Sequence, residues 1–448
     1  MMERAPQPVR EMLALLRESG HTPYLVGGCV RDRLRGAEPD DYDMTSDARP
    51  EEVMAIFGAD AHPTGLMHGT VTLVRGGLAV EHTTERCDGA YRDSRHPESV
   101  RFTGSIEEDL ARRDFTVNAI ALAPDERLVD PFGGREDLKN GVLRCVGDPG
   151  ERFREDALRI LRALRFAARF ALTVEEETAA ALRENRELLA HISPERIFSE
   201  LKGILCARGA GEMLLSFPEV FFVFLPELAP MRGFDTRRPQ NHCWDVWDHT
   251  AHAVDAIAPE SVLRLAALFH DSGKPETFRY DAQAGFGRFP GHPAAGARIA
   301  DAALRALRCD NATRERVLIL VENHEMRTGH GKKELRRLLA RIGEENMRDL
   351  LRMRRADAAA HAPAAAARLA ALADEGERLL NEIAAEHGCL RVKDLAVSGN
   401  DLLALGLKPG PAVGETLSRL LDLVLDEAIP NEKEALLAAA QKEIQTHE

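Results

Sequence analysis

The pattern of apolar and polar positions changes near residue 150. Before it, short runs rich in Val and Thr at 70–74 and 100–102 are typical of β-strands. After it, long stretches of Ala, Leu, Arg and Glu predominate, and these residues favour helices. The sequence therefore predicts an α+β fold, in which a head with a small mixed β-sheet is followed by an all-helical neck, body and tail.

Local signals predict individual elements. Apolar residues at helical spacing predict a helix over 7–19. Proline and acids in a first turn at 49–52 predict the start of a second helix. Two strand-like runs flank Gly76-Gly77, which predicts a hairpin. The run at 151–170 predicts one strong helix with an apolar face.

Composition narrows the class of protein. A chain of 448 residues holds several domains of ordinary size. A net charge of −14 gives no bulk attraction for nucleic acid, so such a partner requires local clusters of Arg and Lys. The seven cysteines form no C-x-x-C pair, which fits a reducing compartment. Because no signal-peptide core and no run of 18 apolar residues occurs, we expect a cytoplasmic protein without a membrane partner.

One stretch near the start, 24–47, carries candidate phosphate chemistry. An apolar run ends in Gly27-Gly28, a helix follows, and a short strand carries Asp41 and Asp43. Alternate strand residues point to one face, so both carboxylates would project into one site and suit Mg²⁺. Paired glycines let backbone N–H groups approach a triphosphate. The alternative is a polar turn with two solvated aspartates, but the Gly-Gly turn favours phosphate chemistry.

Several later segments leave their roles open. Glu81 is either a third carboxylate beside the pair or an exposed strand residue. The arginine-containing loop at 85–99 is a candidate for holding or closing over a substrate. Arg113-Asp114 either faces the cleft or, for the aspartate, caps a helix. The segment at 130–149, dense in Gly, Pro and Asp, indicates a hinge or linker.

Charged residues line one face of the helix predicted at 151–170. Asp156 and Arg159, with Arg162 on the flank, recur at helical spacing. They form either ordinary ion pairs, each worth roughly tenths of a kcal/mol, or a template for a nucleobase. In a template the carboxylate accepts from the edge of the base and the guanidinium donates to it.

Five motifs follow one another over 24–205 and carry a family resemblance. They are GGCVRDRLRG with DYD, RRDFTVNAIA, DPFGGREDL, EDALRILRALRF and SPERIFSELKGIL. Their order resembles that of the bacterial-type (class II) tRNA nucleotidyltransferases, the CCA-adding enzymes, whose close relatives are the bacterial poly(A) polymerases. One departure is EHTTERC, where the family has a pattern like E-V-T-T-F-R. His82 and Glu85 stand there in place of apolar residues.

The resemblance implies template-independent addition of C, C and A to tRNA 3′ ends from CTP and ATP, with release of pyrophosphate. It implies that Asp41 and Asp43 are catalytic and hold two Mg²⁺, and that Asp156 with Arg159 reads the base. The nucleotide-binding residues that it implies are Gly28, Arg31, Arg113, Asp114, Asn118, Asp156, Arg159 and Arg162. The residues that match the last motif, Glu195, Arg196 and Glu200, are interpreted as a structural brace for the neck.

A second set of metal-ligand residues lies at roughly 240–375. Imidazoles and carboxylates from separate helices suit a divalent metal that activates water against a phosphate ester, whereas a lone buried histidine is more often structural. A His-Asp doublet that ends an apolar helix and precedes Ser-Gly-Lys-Pro resembles the HD phosphohydrolase superfamily. By that resemblance the metal ligands are His249, His270, Asp271 and Asp357, with His292 and His324 at accessory positions. Such a module can keep the fold without the activity.

The expected domains follow from these motifs. They are a nucleotidyltransferase head at 1–138, a helical neck with the base-reading helix at 139–206, a body with the HD-type metal domain at 207–375 and a tRNA-binding tail at 376–448. In the tail, glycines around Lys408-Pro409 either grip an RNA phosphate or belong to a plain helix-turn-helix.

Alternative functions remain. Within the same class are an enzyme that adds only A or only part of CCA, and a poly(A) polymerase. By the family resemblance, the loop at 85–99 favours full CCA or A addition over addition of CC alone, and the lack of a basic tail at 430–448 disfavours a poly(A) polymerase. Outside the class are an HD phosphohydrolase that acts on RNA ends and a noncatalytic RNA-binding protein. The sequence indicates no oligomeric state.

Overall fold

The computed structural model describes residues 2–89, 100–236, 244–325, 331–386 and 389–446. The chain divides into two compact units, 1–226 and 227–448, and each is described by itself. Within the described ranges, no helix combines the length and the apolar character that crossing a bilayer requires.

The first unit combines one main sheet with eleven helices in its described part. Its strands are β1 (Tyr24–Val26), β2 (Asp43–Ser46), β3 (Ala61–Gly65), β4 (Thr70–Arg75), β5 (Leu78–Thr84), β6 (Arg86–Asp88), β7 (Val100–Phe102), β8 (Ala121–Leu122), β9 (Leu128–Val129), β10 (Val142–Leu143) and β11 (Thr173–Val174). Its helices are α1 (Gln7–Glu18), α2 (Gly28–Leu34), α3 (Pro50–Phe57), α4 (Ile106–Ala111), α5 (Gly134–Asn140), α6 (Pro149–Glu155), α7 (Leu158–Phe170), α8 (Glu176–Glu184), α9 (Pro194–Leu205), α10 (Ala210–Ser216) and α11 (Pro218–Phe224).

The main sheet has seven strands in the order β3-β4-β5-β2-β1-β8-β9. β2 and β5 pair in parallel and the other neighbours are antiparallel. The predicted mixed sheet is therefore confirmed. The predicted hairpin is β4 and β5, with positive φ at both Gly76 and Gly77. α1 and α3 confirm the two helices predicted at the start of the chain.

Two hydrophobic clusters cover the two faces of the sheet. Leu25 of β1 belongs to the cluster that contains Met12 of α1. Its neighbours Tyr24 and Val26 belong to the other cluster, with Leu110 of α4. All three residues of β1 are buried because successive side chains enter opposite faces. This double burial places β1 in the centre of the head, where the Gly27-Gly28 turn follows it directly.

The single helix predicted at 151–170 is wrong. α6 ends at Glu155, Asp156 is extended (φ −142°, ψ 102°), and α7 starts at Leu158. The side chain of Asp156 causes the break, since its Oδ1 accepts the N–H of Leu158 at 3.1 Å and so competes with helical hydrogen bonding. Because of this break, Asp156 does not share the helical spacing of the arginines on α7.

The segment predicted as a hinge or linker at 130–149 is folded. It contains α5 and β10, and Thr116 Oγ1 donates to the buried Asp137 of α5 at 2.7 Å. A Cβ added to Gly134 would lie 2.1 Å from the carbonyl oxygen of Thr116, so only glycine permits this close approach. Its Gly and Asp residues therefore serve close packing and a buried hydrogen bond.

The departure at His82 and Glu85 leaves the strand intact. β5 keeps regular register with β2 and β4. His82 is fully buried and its Nε2 lies 2.7 Å from Ser46 Oγ, while burial lowers its pKa to about 4, so the imidazole is neutral. Glu85 is 2 % exposed, and its Oε1 has no hydrogen-bond partner among the described residues. Burial first, and then Asp109, raise the pKa of Glu85 to about 8.

The loop predicted at 85–99 begins as an ordered ribbon. β6 pairs with β7 in antiparallel register, from Arg86 opposite Phe102 to Asp88 opposite Val100. The rest of the loop, 90–99, lies outside the described residues, and so do Arg92 and Arg95. Glu85 is the residue immediately before this ribbon, and its carbonyl accepts the N–H of Thr103 at 2.8 Å.

The second unit is helical except for one short hairpin in its described part. Its elements are α12 (Val246–Ala256), α13 (Ser261–Phe269), α14 (Lys274–Thr277), β12 (Arg279–Asp281), β13 (Phe286–Arg288), α15 (His292–Ala306), α16 (Asn311–Asn323), α17 (Lys332–Ile342), α18 (Glu344–Ala359), α19 (Pro363–Ala385), α20 (Gly399–Ala404), α21 (Pro411–Leu425) and α22 (Lys433–Thr446). The last three helices share a core of their own around Leu402, Leu420 and Leu436.

Replacing Glu85 with Gln tests the buried carboxyl group. The folded-state pKa of about 8 lies above the ordinary 4.5, so the folded chain keeps a proton that the unfolded chain has released. The stability that Glu85 contributes therefore falls as pH rises from about 4.5 to 8. We expect E85Q to match wild type near pH 5 and to gain about 2–4 kcal/mol over it by pH 8.5.

The measurement is the apparent Tm of both proteins from pH 5 to 9. A gain of this size corresponds to a rise of several °C for a unit of this size. Glu18→Gln, at an exposed position of α1, is the matched control and should show a flat difference. A difference for E85Q that does not change with pH would contradict the assignment of a buried titrating group.

Candidate functional site

One cleft in the first unit brings together every residue predicted for catalysis and nucleotide binding. Its volume is about 500 Å³. The predicted residues that line it are Gly28, Arg31, Asp41, Asp43, Arg113, Asp114, Asn118, Asp156, Arg159 and Arg162. Further lining residues, which the motif reasoning did not assign to binding, are Gly27, Arg112, Leu158, Arg165, Phe166, Arg169 and Arg196. The cleft is therefore strongly cationic, with two aspartates at one end of the sheet.

The two aspartates belong to the start of β2. The strand begins at Asp43, so Asp41 lies just before it and not within it as predicted. Asp43 is directly opposite Glu81 of β5 in the parallel register, and Glu81 is exposed. Burial raises the pKa of Asp43 to about 6, against Arg113 and with help from Asp41 and Glu81. A half-buried carboxylate beside two other acids is one that a divalent cation would stabilise.

The Gly-Gly turn allows close packing against these acids. Gly27 has φ +72°, a region that favours glycine. A Cβ there would lie 3.0 Å from Arg113 Nη1 and 3.7 Å from Asp43 Oδ2. Arg31 of α2 extends across the floor of the cleft, donating from Nη1 to Asn118 Oδ1 at 2.7 Å. Its guanidinium also lies 4.2 Å from the ring centroid of Phe170, which fixes its direction.

An ion pair between the partly exposed Arg162 and the buried Asp114 joins α7 to the segment after α4. Arg162 donates from Nε at 2.9 Å and from Nη2 at 2.6 Å to Asp114 Oδ2. Asp114 Oδ1 accepts the N–H of Phe115 at 2.8 Å and Asn118 Nδ2 at 3.1 Å. Burial alone would raise the pKa of Asp114, but Arg162 outweighs it and holds that pKa below its ordinary value. The alternative that Asp114 caps a helix is therefore wrong.

The other arginines of the cleft also have carboxylate partners. Arg112 and Arg113 both contact Asp109, at 2.7 and 3.3 Å. Arg165 contacts Glu200 of α9 at 2.6 Å, which fits the predicted brace between α7 and α9. The recurrence of arginine at 159, 162, 165 and 169 is a helical spacing that could have indicated this cationic face.

The two residues predicted to read a base have different partners. Arg159 Nη1 donates to Glu155 Oε2 at 2.5 Å. Asp156 Oδ2 accepts from Arg196 Nη2 at 3.2 Å. Arg196 was interpreted as part of a structural brace, but its side chain lines the cleft and contacts the proposed reading group. It comes from a motif 40 residues further along the chain, so no periodicity within α7 could have revealed the contact.

A second cluster lies within the second unit and unites the six predicted HD-type residues. They come from α12 (His249), the end of α13 (His270 and Asp271), α15 (His292), the end of α16 (His324) and α18 (Asp357). All but Asp357 are at least nine-tenths buried. The structure thus places the accessory histidines beside the four predicted ligands.

Asp271 lies at the centre of this cluster. Its Oδ2 is 3.6 Å from His249 Nε2 and 3.4 Å from His270 Nε2. Its Oδ1 is 3.6 Å from both His292 Nε2 and His324 Nε2. Asp357 Oδ1 completes the first group at 2.9 Å from His249 Nε2. One carboxylate therefore faces two separate sets of imidazole nitrogens.

The hydrogen bonds of the four imidazoles orient them toward the centre. Their Nδ1 atoms lie 2.7–3.0 Å from the backbone carbonyls of Ala360, Ala267, Phe289 and Val321. Because a carbonyl only accepts, each Nδ1 is the donor and each Nε2 carries a lone pair in the neutral ring. His270 Nε2 is buried and makes no hydrogen bond within the described part of the chain. Inward lone pairs of this kind suit divalent metal ions.

Basic groups line the cavity beside this cluster. The cavity measures about 210 Å³, and Lys274, Arg354 and Arg368 are among its lining residues. Lys274 Nζ lies 2.5 Å from Asp271 Oδ2. His361 also lines the cavity, although the motif reasoning did not include it. Its spacing of four residues from Asp357 was a signal for it, although α18 ends at Ala359, before His361.

Comparison with known families covers three parts of the chain. Residues 23–144 match the Poly A polymerase head domain, residues 171–231 match the probable RNA and SrmB-binding site of polymerase A, and residues 297–440 match the putative tRNA nucleotidyltransferase domain 2. The head match contains the Gly-Gly turn and both aspartates.

Curated relatives and a solved structure extend the likeness over nearly the whole chain. The CCA-adding enzyme of Limosilactobacillus fermentum is 31 % identical over 443 residues, 97 % of this chain and 96 % of that protein. The CCA-adding enzyme of Geobacillus thermodenitrificans is 41 % identical over 272 residues, 58 % of this chain and 67 % of that protein. The Bacillus stearothermophilus CCA-adding enzyme in complex with CTP superposes with a TM-score of 0.72 at 29 % identity, covering 98 % of both chains.

Breaking the Asp114–Arg162 pair tests how much it contributes to the stability of the fold. R162M leaves Asp114 charged and buried without its guanidinium, which costs about 1–3 kcal/mol, since solvent already screens part of this pair. D114N removes the charge at the same place. In the double variant neither charge is left unpaired, so we expect its loss to be smaller than the sum of the single losses by about 1–3 kcal/mol. The apparent Tm of the four proteins measures this cycle, and simple additivity would contradict a direct pair.

Proposed function

This chain belongs to the family of CCA-adding enzymes, nucleotidyltransferases that add C, C and A to tRNA 3′ ends, and we propose how its own residues serve that reaction. The observation that carries the proposal is the single cleft in which two aspartates, a set of arginines and Asp156 with Arg159 all meet. Substrates of this chain are then CTP, ATP and tRNA.

The acidic pair would hold the metal ions of the head. Asp41 and Asp43 would supply hard oxygen ligands, and the proximity of Asp41 and Glu81 to Asp43 supports a divalent cation between them. Two Mg²⁺ bound there would neutralise the triphosphate and favour attack by the tRNA 3′-hydroxyl at the α-phosphate. The remaining catalytic work of the protein is positioning and charge complementarity.

The arginines would orient the nucleotide between these acids and the neck. Arg31 and Arg113 lie nearest to the Gly-Gly turn and the aspartates, where they suit the phosphates. Asp156 and Arg159 lie at the junction of α6 and α7, where they suit the base. A carboxylate acceptor and a guanidinium donor match the edges of C and A and fit neither G nor U.

We further propose that the domains follow the motifs, with head, neck, HD-type body and tail at 1–138, 139–206, 207–375 and 376–448. The tail, with its own core around Leu420, would contact tRNA. Gly406 and Gly410, both with positive φ, form the turn before α21, whereas Gly414 lies inside that helix.

Variants of the cleft separate chemistry from base choice. D41N should lower nucleotide addition to tRNA lacking CCA at least about a hundredfold, because a ligand of the proposed metal ions is lost. D156A should keep addition but lose about tenfold to hundredfold of its preference for CTP over UTP. Labelled CTP, ATP, UTP and GTP, with products resolved by length, provide the measurement. Growth by three nucleotides that then stops is expected of wild type.

Two results would contradict these roles. A D156A enzyme that still rejects UTP and GTP would remove Asp156 as the reader. Growth of wild type by A alone or into a long ladder would assign the chain to an A-adding or poly(A)-forming activity. Glu51→Gln, an exposed residue of α3, is the control and should behave as wild type.

A second function is favoured by the His-Asp cluster, which we propose to be a metal-dependent phosphohydrolase site. His249, His270, Asp271 and Asp357 would hold one divalent metal, and His292 and His324 with the second oxygen of Asp271 would hold another. The unpartnered Nε2 of His270 supports this assignment, as do the Nε2 atoms of His292 and His324, which face each other at 3.1 Å. Bound metal would activate water, and Lys274, Arg354 and Arg368 would attract a phosphate ester.

Metal content tests this site independently of activity. After loading with Mn²⁺ and gel filtration, wild type should retain bound manganese by elemental analysis, and D271N should lose most of it, because Asp271 faces both groups of imidazoles. Wild type should hydrolyse p-nitrophenyl phosphate or its bis-ester, and D271N should do so at least about tenfold more slowly.

The matched control is Glu276→Gln. Glu276 lies on the nearby α14 and pairs with Arg298 of α15, and this variant should retain the metal. Equal manganese in wild type and D271N would contradict the assignment. Hydrolysis that disappears in D41N and persists in D271N would belong to the head instead.

A further inference from the structure

Contacts from two helices fix the Asp156 carboxylate. Its Oδ1 accepts the N–H of Leu158 at the start of α7, at 3.1 Å. Its Oδ2 accepts from Nη2 of Arg196, in the first turn of α9, at 3.2 Å. The side chains of Asp156 and Arg196 are 19 % and 25 % exposed, and both line the cleft. The plane of the carboxylate is therefore set by a contact on each oxygen.

Other cations of the cleft would compete for this carboxylate if Arg196 were absent. Arg162 lies close enough for its pKa to be raised in part by Asp156, after the larger effect of Asp114. Arg159 is three residues away, at the other side of the α7 start. Both have other carboxylate partners, Asp114 and Glu155 respectively. This distribution of partners leaves Asp156 with Arg196 as its side-chain partner.

We infer that Arg196 is a positioning residue for base selection, an inference that rests on the proposed role of Asp156. An ionised carboxylate only accepts hydrogen bonds. Cytosine N4 and adenine N6 donate, whereas uracil O4 and guanine O6 carry lone pairs at the corresponding positions. A carboxylate fixed by Arg196 bonds the amino group and repels the carbonyl. Without Arg196, the carboxylate could turn toward Arg159 or Arg162, and it would then no longer repel the carbonyl oxygen of uracil or guanine.

The test is steady-state incorporation of single nucleotides by the full-length protein. CTP and UTP are compared on tRNA that lacks CCA, and ATP and GTP on tRNA that ends in CC. For R196M we expect the ratio of kcat/KM between CTP and UTP to fall about tenfold or more, with most of the loss for CTP in KM. R196K should lie between wild type and R196M, because an ammonium keeps the charge but loses the planar fork.

Glu200→Gln is the matched control on the same helix. It weakens the contact of α9 with Arg165 on α7 and leaves the Arg196–Asp156 contact in place. A role of Arg196 in holding the neck alone would make R196M and E200Q alike, with a lower Tm and equal losses for all four nucleotides, and this result would overturn the inference. Unchanged selectivity in both R196M and R196K would overturn it too.

D156A distinguishes this inference from the proposed function. Loss of selectivity in D156A together with R196M supports the positioning role. Loss of selectivity in D156A but not in R196M overturns the role of Arg196 and leaves Asp156 as the residue that reads the base. Retained selectivity in D156A overturns the base-reading role itself, and the inference with it. If R196M does not fold, R196K carries the comparison.

Discussion

The ion pair between Asp114 and Arg162 is the contact on which the arrangement of the cleft depends. It joins Asp114, which also accepts hydrogen bonds from the backbone N–H of Phe115 and from Asn118, to α7, the helix that carries four arginines of the cleft. Because Asp114 is buried, its charge needs a partner, and Arg162, whose side chain is partly exposed, supplies one. The aspartates at the start of β2 and the residues at the start of α7 that we propose to read the base therefore line one cleft from two parts of the fold.

The break at Asp156 is the second constraint. An unbroken helix would have carried this carboxylate at regular spacing beside Arg159, as the sequence pattern suggested. Instead the side chain accepts a backbone N–H, stops α6 and starts α7 in a new direction. A local competition between side-chain and helical hydrogen bonds thus decides where a functional group points.

Much of the fold could be predicted from the sequence, because α1, the β4–β5 hairpin and the mixed sheet rest on periodicity and turn residues. The positions of Asp41 and Asp43 beside a glycine turn could also be predicted, since they depend on short-range spacing. Long-range contacts could not be predicted in this way. Arg196 meets Asp156 only through the packing of α9 on α7, and Gly134 is fixed by a close approach to Thr116 that no local pattern encodes.

The pairing of the arginines has a consequence for turnover. Four arginines of the cleft each contact a carboxylate of the protein, namely Arg113, Arg159, Arg162 and Arg165. Their positive charges are therefore already paired within the protein. If the nucleotide binds as proposed, its phosphates would displace protein carboxylates from the guanidiniums that they contact, and those carboxylates would compete again once the bond to the α-phosphate is broken. The carboxylates of the protein would then limit the affinity for a triphosphate and favour the release of pyrophosphate.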